Sequence, residues 1–558
     1  MNTKLLNKIF SLRITHYALS IAFLSVCVVF FTMSFKIVEK ADTYFVMNLG
    51  RYIEENGIPY VDPFTIHENL QLVAQQWLSG IFFWEAYKLF GVDGLRWADC
   101  IFGIILVVIY WRLCLFVSGG NKSLSLVLSF LVGLIVLPAI VPRPQIISMT
   151  ILLTEVFLLE KFTRTKDFKF LLPLPILSTL LINFHAAMWL MLFVICLPFF
   201  FVKDVRHVKF LLAALVATFL LGLINPYGLG AMTYVFHSYG IDLINKAVVE
   251  MMTPSAHDLR GKIFYFSAAL MIFSLTKFKA PWRYIFLSGG LMFMAVMHGR
   301  NMLLFFFLAT FPLAYLWKNF SFDKIFGKRD AQYKNHGIMT LTFFLLLAIT
   351  VFFIAEIFKY GFAKLVLPMK ILFVSELLFL AYDLLIAKVD GRVIHPKILL
   401  KKNLSMFLIA VILGGIFYTT LDTDQKESDG PYAAAMKFLV KSERPENISL
   451  YANQGYGGLA GMFGIKYYID SRSEVFLPAN NGQRKNILEE YFDFRTGKIY
   501  YADFFARYNF THIITDSQDY FLYDELSRDK NFRVIYESER VEGYEVIRCR
   551  IFASKNGG

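Results

Sequence analysis

Charge is what this sequence has least of: 18% of its 558 residues are Asp, Glu, Lys or Arg, against roughly a quarter in a soluble globular chain. With 57% hydrophobic residues, Tyr included, and a mean hydropathy of +0.53, too few charged groups remain to cover the apolar surface of a soluble enzyme. A disordered or collagen-like chain is excluded by the same figures. Cysteine is also scarce: of five, Cys27, Cys100, Cys114 and Cys196 fall in or beside apolar runs, and only Cys549 lies in a polar region. The polar tail therefore has no internal disulfide, and no CxxC metal motif occurs anywhere. Internal repeats and low-complexity tracts are lacking too. What is left is a polytopic membrane protein.

The 56 Lys plus Arg against 43 Asp plus Glu leave a formal +13, a surplus that in a soluble chain can point to nucleic acid. Its location argues otherwise. Residues 1–421 hold 38 basic and 22 acidic groups, and residues 422–558 hold 18 and 21, so the surplus belongs to the apolar part and no nucleic-acid partner is expected.

Apolar runs long enough to cross a bilayer, roughly 17 to 25 residues, fall near 15–37, 98–117, 123–141, 144–160, 169–184, 186–202, 209–225, 263–277, 283–298, 301–317, 338–357, 366–387 and 404–421. That predicts about thirteen transmembrane helices. The opening MNTKLLNKIF is basic ahead of its first apolar run, but no small-residue cleavage site follows cleanly, so that run is expected to stay as a signal anchor. With a cytoplasmic N-terminus, the even-numbered connections should carry most Lys and Arg. They do: Lys161, Arg164, Lys166 and Lys169; Lys203, Arg206 and Lys209; Lys277, Lys279 and Arg283; a set from Lys318 to Lys334; and another from Lys388 to Lys402. The loops 38–97 and 226–262, the turns at 141–144, 184–186 and 298–301, and everything after residue 421 are then extracytoplasmic.

From residue 422 the periodicity becomes that of a soluble α/β fold. KFLVKSE is a helix end, NISLYAN and KYYID are strands, ILEEYFDF and YYADFFARY are helices, THIITD is a strand, and FRVIYESE with YEVIRCRIF forms a closing hairpin. A domain spanning 422–558 is long enough for its own core. The expected division is thus a transmembrane domain, 1–421, and an extracytoplasmic α/β domain, 422–558.

Chemistry is expected where polar groups meet the outer membrane face. The first long loop carries amphipathic stretches with Trp77, Trp84 and Tyr87 suited to headgroup depth. Its first acid is Asp42. A carboxylate at the bilayer edge is costly unless it binds a metal, pairs with a cation or works as a base.

A long first extracytoplasmic loop with an Asp just beyond the first span, many spans and a C-terminal extracytoplasmic domain resemble the GT-C glycosyltransferases, which include oligosaccharyltransferases, protein mannosyltransferases and bacterial aminoarabinose transferases. The segments ADTYFVMNLGRYIEENGIPYVDPFT, QQWLSG, VPRPQ, NFHAA, NPYG, VEMMTPS and HGRN, with GYGGLAGMFGIKYYIDSRSEVF in the tail, are similar to a large set of bacterial membrane proteins assigned to that superfamily. The resemblance implies an enzyme of the plasma membrane with a polyprenyl-phosphate-linked sugar donor, an extracytoplasmic acceptor and an inverting displacement. It also implies that Asp42 acts as general base or orients the acceptor, with a divalent metal, Mg or Mn, held near it. Many relatives have two adjacent acids here, whereas Asp42 is followed by Thr43. A second carboxylate would come from Asp62 or Glu250.

Such a transfer needs a base for the acceptor hydroxyl and positive charge for the departing phosphate. Arg143 in VPRPQ and Arg300 in MHGRN stand at outer span ends, where a guanidinium can grip a lipid phosphate with its fork of donors. His185 and His298 are imidazoles at span ends, and Glu250 and His257 lie in the second long loop. Each has a plainer role open to it. Arg143 can anchor a helix between two prolines, the histidines can be packing donors, Glu250 and His257 loop surface, and Asp62 before Pro63 a turn residue. Asp470 and Arg472 can pair with each other or reach the acceptor. The glycines of GYGGLAG suit a tight strand-to-helix turn better than a nucleotide loop, since the spacing is wrong for GxxxxGK. A lipid-linked oligosaccharide flippase or polymerase is disfavoured because mid-membrane charges are few, chiefly Glu155, Glu376 and Asp383. A non-catalytic assembly or glycan-binding protein of the same fold stays open.

Overall fold

The computed structural model describes residues 41–136, 142–238, 249–319, 431–479, 481–482, 485–517, 519–542 and 545–555. The expected anchor near 15–37, the spans near 338–357, 366–387 and 404–421, the lysines and arginines from 324 to 402, Cys27, Glu376, Asp383 and the division at 421 lie outside them.

Helix α1 (Ala41–Asn56) has Asp42 in its first turn, where unpaired backbone N–H groups favour a carboxylate. An irregular stretch, 57–76, leads to α2 (Trp77–Val117), 41 residues long and so about 60 Å, twice the thickness of a bilayer core. It is broken at Gly91, with φ 61° and ψ −145°, a backbone geometry open to glycine. The limb after Gly91 contains the span expected near 98–117. The limb before it corrects the expectation of a loop out to residue 97: its mixed polarity hides it from hydropathy, yet it packs along α1. Gly50 and Gly80 let the two backbones touch, since a Cβ on Gly50 would stand 2.1 Å from the Gly80 carbonyl oxygen.

The body continues with α3 (Lys122–Val136), α4 (Pro144–Thr165), α5 (Leu174–His185), α6 (Val205–Gly222), α7 (Leu259–Lys277) and α8 (Trp282–Met297). The run expected near 186–202 forms short pieces instead of one helix, the last of them, Leu197–Phe200, opening at Pro198, whose missing N–H interrupts the ladder. Among the described residues, five stretches are long and apolar enough to cross a membrane: Trp77–Val117, Phe168–Met188, Val205–Gly222, Leu259–Lys277 and Gly299–Leu316.

The connections gather at two ends. At one, Arg164 donates to the Phe116 and Val117 carbonyls at 2.8 Å, Lys166 lies 3.5 Å from Asp204, Arg283 donates to Glu160 at 2.8 Å, and Asn121 donates to the Lys318 carbonyl at 3.2 Å. The basic residues of four connections therefore share this end. At the other, the short sequence motifs meet in pairs. Trp77 of QQWLSG donates to Asn183 of NFHAA at 2.9 Å, and the Ala186 N–H to the Gln75 carbonyl at 2.9 Å. Tyr227 of NPYG donates to the Pro59 carbonyl at 2.7 Å, and Gly299 of HGRN to the Met252 carbonyl at 2.8 Å.

Residues 431–555 form a mixed five-stranded sheet. It contains β1 (Ser449–Tyr451), β2 (Lys466–Tyr467), β3 (His512–Asp516), β4 (Phe532–Glu542) and β5 (Glu545–Ser554), in the order β2-β1-β3-β5-β4. β1 pairs parallel with β2 and β3, while β5 pairs antiparallel with β3 and β4. Helix α9 (Pro431–Ser442) packs on β4, with Phe438 stacked on Tyr536 at 4.8 Å. On the other face Tyr451 is enclosed by Phe494 of α11 (Ile487–Arg495), Phe504 and Phe505 of α12 (Tyr501–Tyr508), and Phe510. The turn after β1 leads into α10 (Gly457–Met462), where a Cβ on Gly457 would lie 2.1 Å from the Ile469 carbonyl oxygen. The glycines of GYGGLAG serve close packing of a strand-to-helix turn. One further helix, α13 (Tyr520–Arg528), precedes the hairpin.

This region docks on α1 and the 57–76 stretch. Thr65 bridges Tyr467 in parallel, and the Ile66 N–H donates to the Tyr467 carbonyl at 2.9 Å, so the stretch covers the free edge of β2. Arg51 of α1 donates to the Gly461 and Met462 carbonyls at 2.8 and 2.7 Å, satisfying the end of α10.

Candidate functional site

Asp42, Arg143 and Glu250 come together. Pro144 opens α4, and the residue before a proline avoids helical geometry. Arg143 is accordingly the extended N-cap residue, with φ −142° and ψ 156°. From there its guanidinium reaches Asp42, Nη2 to Oδ2 at 3.0 Å, and faces Glu250, Nη1 to Oε1 at 3.8 Å. The side chains are 14%, 34% and 55% exposed for Arg143, Asp42 and Glu250. Ion pairs this open to water contribute roughly 0–1 kcal/mol to stability, so stability alone gives little reason for the arrangement. Among the described residues Arg143 Nε, Thr43 Oγ1 and Gln145 Oε1 are buried without hydrogen-bond partners; such groups are rare in folded proteins and call for a reason.

Arg300 belongs to a second group. Its charge acts on His185, Tyr234 and Glu474. His185, buried at the end of α5, is 2.8 Å from the Ser148 hydroxyl, a little over one helical turn into α4 from Arg143. Tyr234 donates to the Glu474 carboxylate, and burial pushes the Glu474 carboxyl above the usual carboxylate range, against the Tyr234 hydrogen bond and the charges of Arg300 and Arg472. Sequence reasoning passed over Tyr234, Glu474 and Ser148. Glu474 lies inside the quoted tail motif, one residue beyond Ser473, but Tyr234 and Ser148 carry no local signal.

Asp62, Asp470 and Arg472 hold one another. Arg472 donates from Nη1 to Asp62 Oδ1 at 2.5 Å, and from Nε and Nη2 to Asp470 at 2.6–3.0 Å. Its guanidinium lies 4.4 Å from the Phe45 ring centroid and 5.4 Å from that of Phe64. Asp62 also accepts from the Thr65 N–H and hydroxyl at 3.1 and 2.8 Å, and Asp470 from Tyr467 at 2.6 Å. All three charged side chains are buried, so this cluster clamps the tail region to α1 and the 57–76 stretch. Removing one partner of such a buried set costs about 3–5 kcal/mol.

His298 uses Nδ1 against the Met251 carbonyl at 2.6 Å and fixes the 249–252 turn that carries Glu250. His257 is exposed, with its backbone N–H on Ser255 Oγ at 3.2 Å. A divalent metal at Asp42 needs one or two carboxylates turned to a point that no other cation fills, with water and phosphate completing its shell. Asp42 instead faces a guanidinium, and among the described residues no three His, Cys, Asp or Glu side chains gather into a set that holds a metal. The described residues, with the Arg143 guanidinium in place, do not fit the ion.

A helical body with apolar spans, joined at one end to an α/β region and carrying an acid–guanidinium cluster there, is the class these features define. No protein-family model matches the chain, and no curated protein matches it in sequence. Several solved structures are similar, two of which follow. One is ArnT from Cupriavidus metallidurans bound to undecaprenyl phosphate, with a TM-score of 0.48 and 9% identity over 96% of this chain and 98% of that one. The other is the Archaeoglobus fulgidus oligosaccharyltransferase in complex with Zn and sulfate, with a TM-score of 0.46 and 12% identity over 89% of this chain and 68% of that one.

Proposed function

We propose that the chain is a GT-C-type glycosyltransferase of the plasma membrane that moves a sugar from a polyprenyl-phosphate donor to an extracytoplasmic acceptor at the Asp42 end of the body. The observation that carries this reading is the meeting of Asp42, Arg143 and Glu250, from three distant segments, beside polar atoms that are buried without partners among the described residues. In the transfer an acceptor hydroxyl attacks the anomeric carbon as its proton passes to Asp42. The bond from that carbon to the phosphate oxygen breaks, the configuration inverts, and Arg143, with Arg300 as the second candidate, takes the charge of the departing polyprenyl phosphate. The gathering of basic connections at the opposite end supports a cytoplasmic location for that end and an extracytoplasmic one for residues 422–558.

A non-catalytic assembly role draws on one observation, that the Asp42 carboxylate already has the Arg143 guanidinium 3.0 Å away. Asp42→Asn separates the two. With normal expression, the catalytic reading expects glycan product to fall by about 10²-fold or more. Undiminished product sinks it.

A further inference from the structure

Two carboxylates and one cation occupy the place where a metal is expected. Asp42 Oδ2 and Glu250 Oε1 approach different terminal nitrogens of Arg143, at 3.0 and 3.8 Å. The guanidinium thus faces both acids at once, the place that a divalent ion shared by two carboxylates would take. Backbone geometry holds it there, because Pro144 fixes Arg143 as the extended residue capping α4, and His298 fixes the turn bearing Glu250. A divalent ion added beside the guanidinium would meet like charge at close range. Arg143 Nε, without a partner among the described residues, leaves the fork a donor for an anion.

We infer that Arg143 stands in for the divalent cation of this site, so that the Asp42–Glu250 centre works without a bound metal. The inference rests on the glycosyltransferase reading for what the centre does, but not for how it binds cations. A neutral residue at 143 leaves two acids facing an unfilled space, which suits Mn(II), an ion that prefers oxygen ligands.

The test is Mn(II) binding to purified full-length protein in nanodiscs, read by the loss of the free-ion EPR signal. Wild type should show no site that Asp42→Asn removes. Arg143→Ala should bind one Mn(II) at least about tenfold more tightly than any residual binding by wild type, the order of a water-exposed ion pair, and Arg143→Ala with Asp42→Asn should lose that gain. Arg143→Lys, which keeps a cation, should behave like wild type; size-exclusion profiles confirm that each variant folds. An Mn(II) site in wild type that Asp42→Asn abolishes overturns the inference. So does Arg143→Ala that folds and gains no site. Sugar transfer that survives Asp42→Asn overturns the functional reading instead and leaves the binding result standing.

Discussion

His67 donates its Nε2–H to the Tyr468 carbonyl at 2.8 Å, packed against the rings of Tyr468, Phe476 and Tyr508. Burial pushes its pKa down from 6.5 to about 4, against an upward pull from that carbonyl and from Asp62 and Glu490, with a further push down from Lys485. Above about pH 7 both the docked and the unfolded chain hold the ring neutral. Between pH 6.5 and 4 only the unfolded chain takes the proton, so stability falls with falling pH, by up to about 3 kcal/mol. Thermal unfolding of wild type and His67→Phe from pH 7.5 to 4.5 checks this: wild type should lose stability faster, and parallel profiles contradict it. Nothing in the sequence singled His67 out, because its burial comes from rings some 400 positions away. Asp42, Arg143 and Glu250 were legible because each stands beside a predicted span end or in the second long loop, where a charge is conspicuous. Asp470 and Arg472 were legible as a pair from their spacing of two, but Asp62 joins them only through the tertiary fold.

At the scale of elements, the crossing of α1 and α2 decides where Asp42 sits. The sequence carries the two glycines but not their partnership. An alanine at Gly50 would place Cβ 2.1 Å from the Gly80 carbonyl oxygen, so the helices must part. Gly50→Ala should cost about 1–3 kcal/mol in unfolding experiments and lower activity with it. Gly289→Ala, in α8 with nothing within 4 Å of the new Cβ, should be neutral or stabilising by up to about 1 kcal/mol. Equal effects of the two would contradict the crossing. Elsewhere a period of two or 3.6 revealed the tail's strands and most of its helices, since each buries one face. The limb of α2 before Gly91 showed only as an amphipathic stretch of the first loop, because its mixed polarity does not reveal packing on α1, and helix α13 escaped notice because its apolar side is only a few residues long. The irregular run 186–202 is apolar throughout, and hydropathy does not register the break at Pro198.

Over the whole molecule, the proposed orientation rests on charge: Lys and Arg collect on alternate connections, and the structure brings four of those connections to one end. Among the described residues Cys100, Cys114, Cys196 and Cys549 are buried, so with Cys27 replaced by Ser labelling has little background. A cysteine replacing exposed His257 should react with an impermeant maleimide on intact cells, and one replacing Lys279 only after permeabilisation; the reverse pattern would invert the protein. That the tail region meets the first long loop at the Asp42 end was an expectation from topology, but the contacts that fix it there, Thr65 pairing with the edge of β2 and the Arg472 clamp, were not readable. The central claim is that this end binds a polyprenyl-phosphate sugar through Arg143. Native mass spectrometry of the protein in nanodiscs, supplied with a panel of such donors, tests it most directly. A bound polyprenyl-phosphate sugar in wild type that is lost in Arg143→Ala is the predicted result. No bound donor in wild type, or equal binding by the variant, would contradict it.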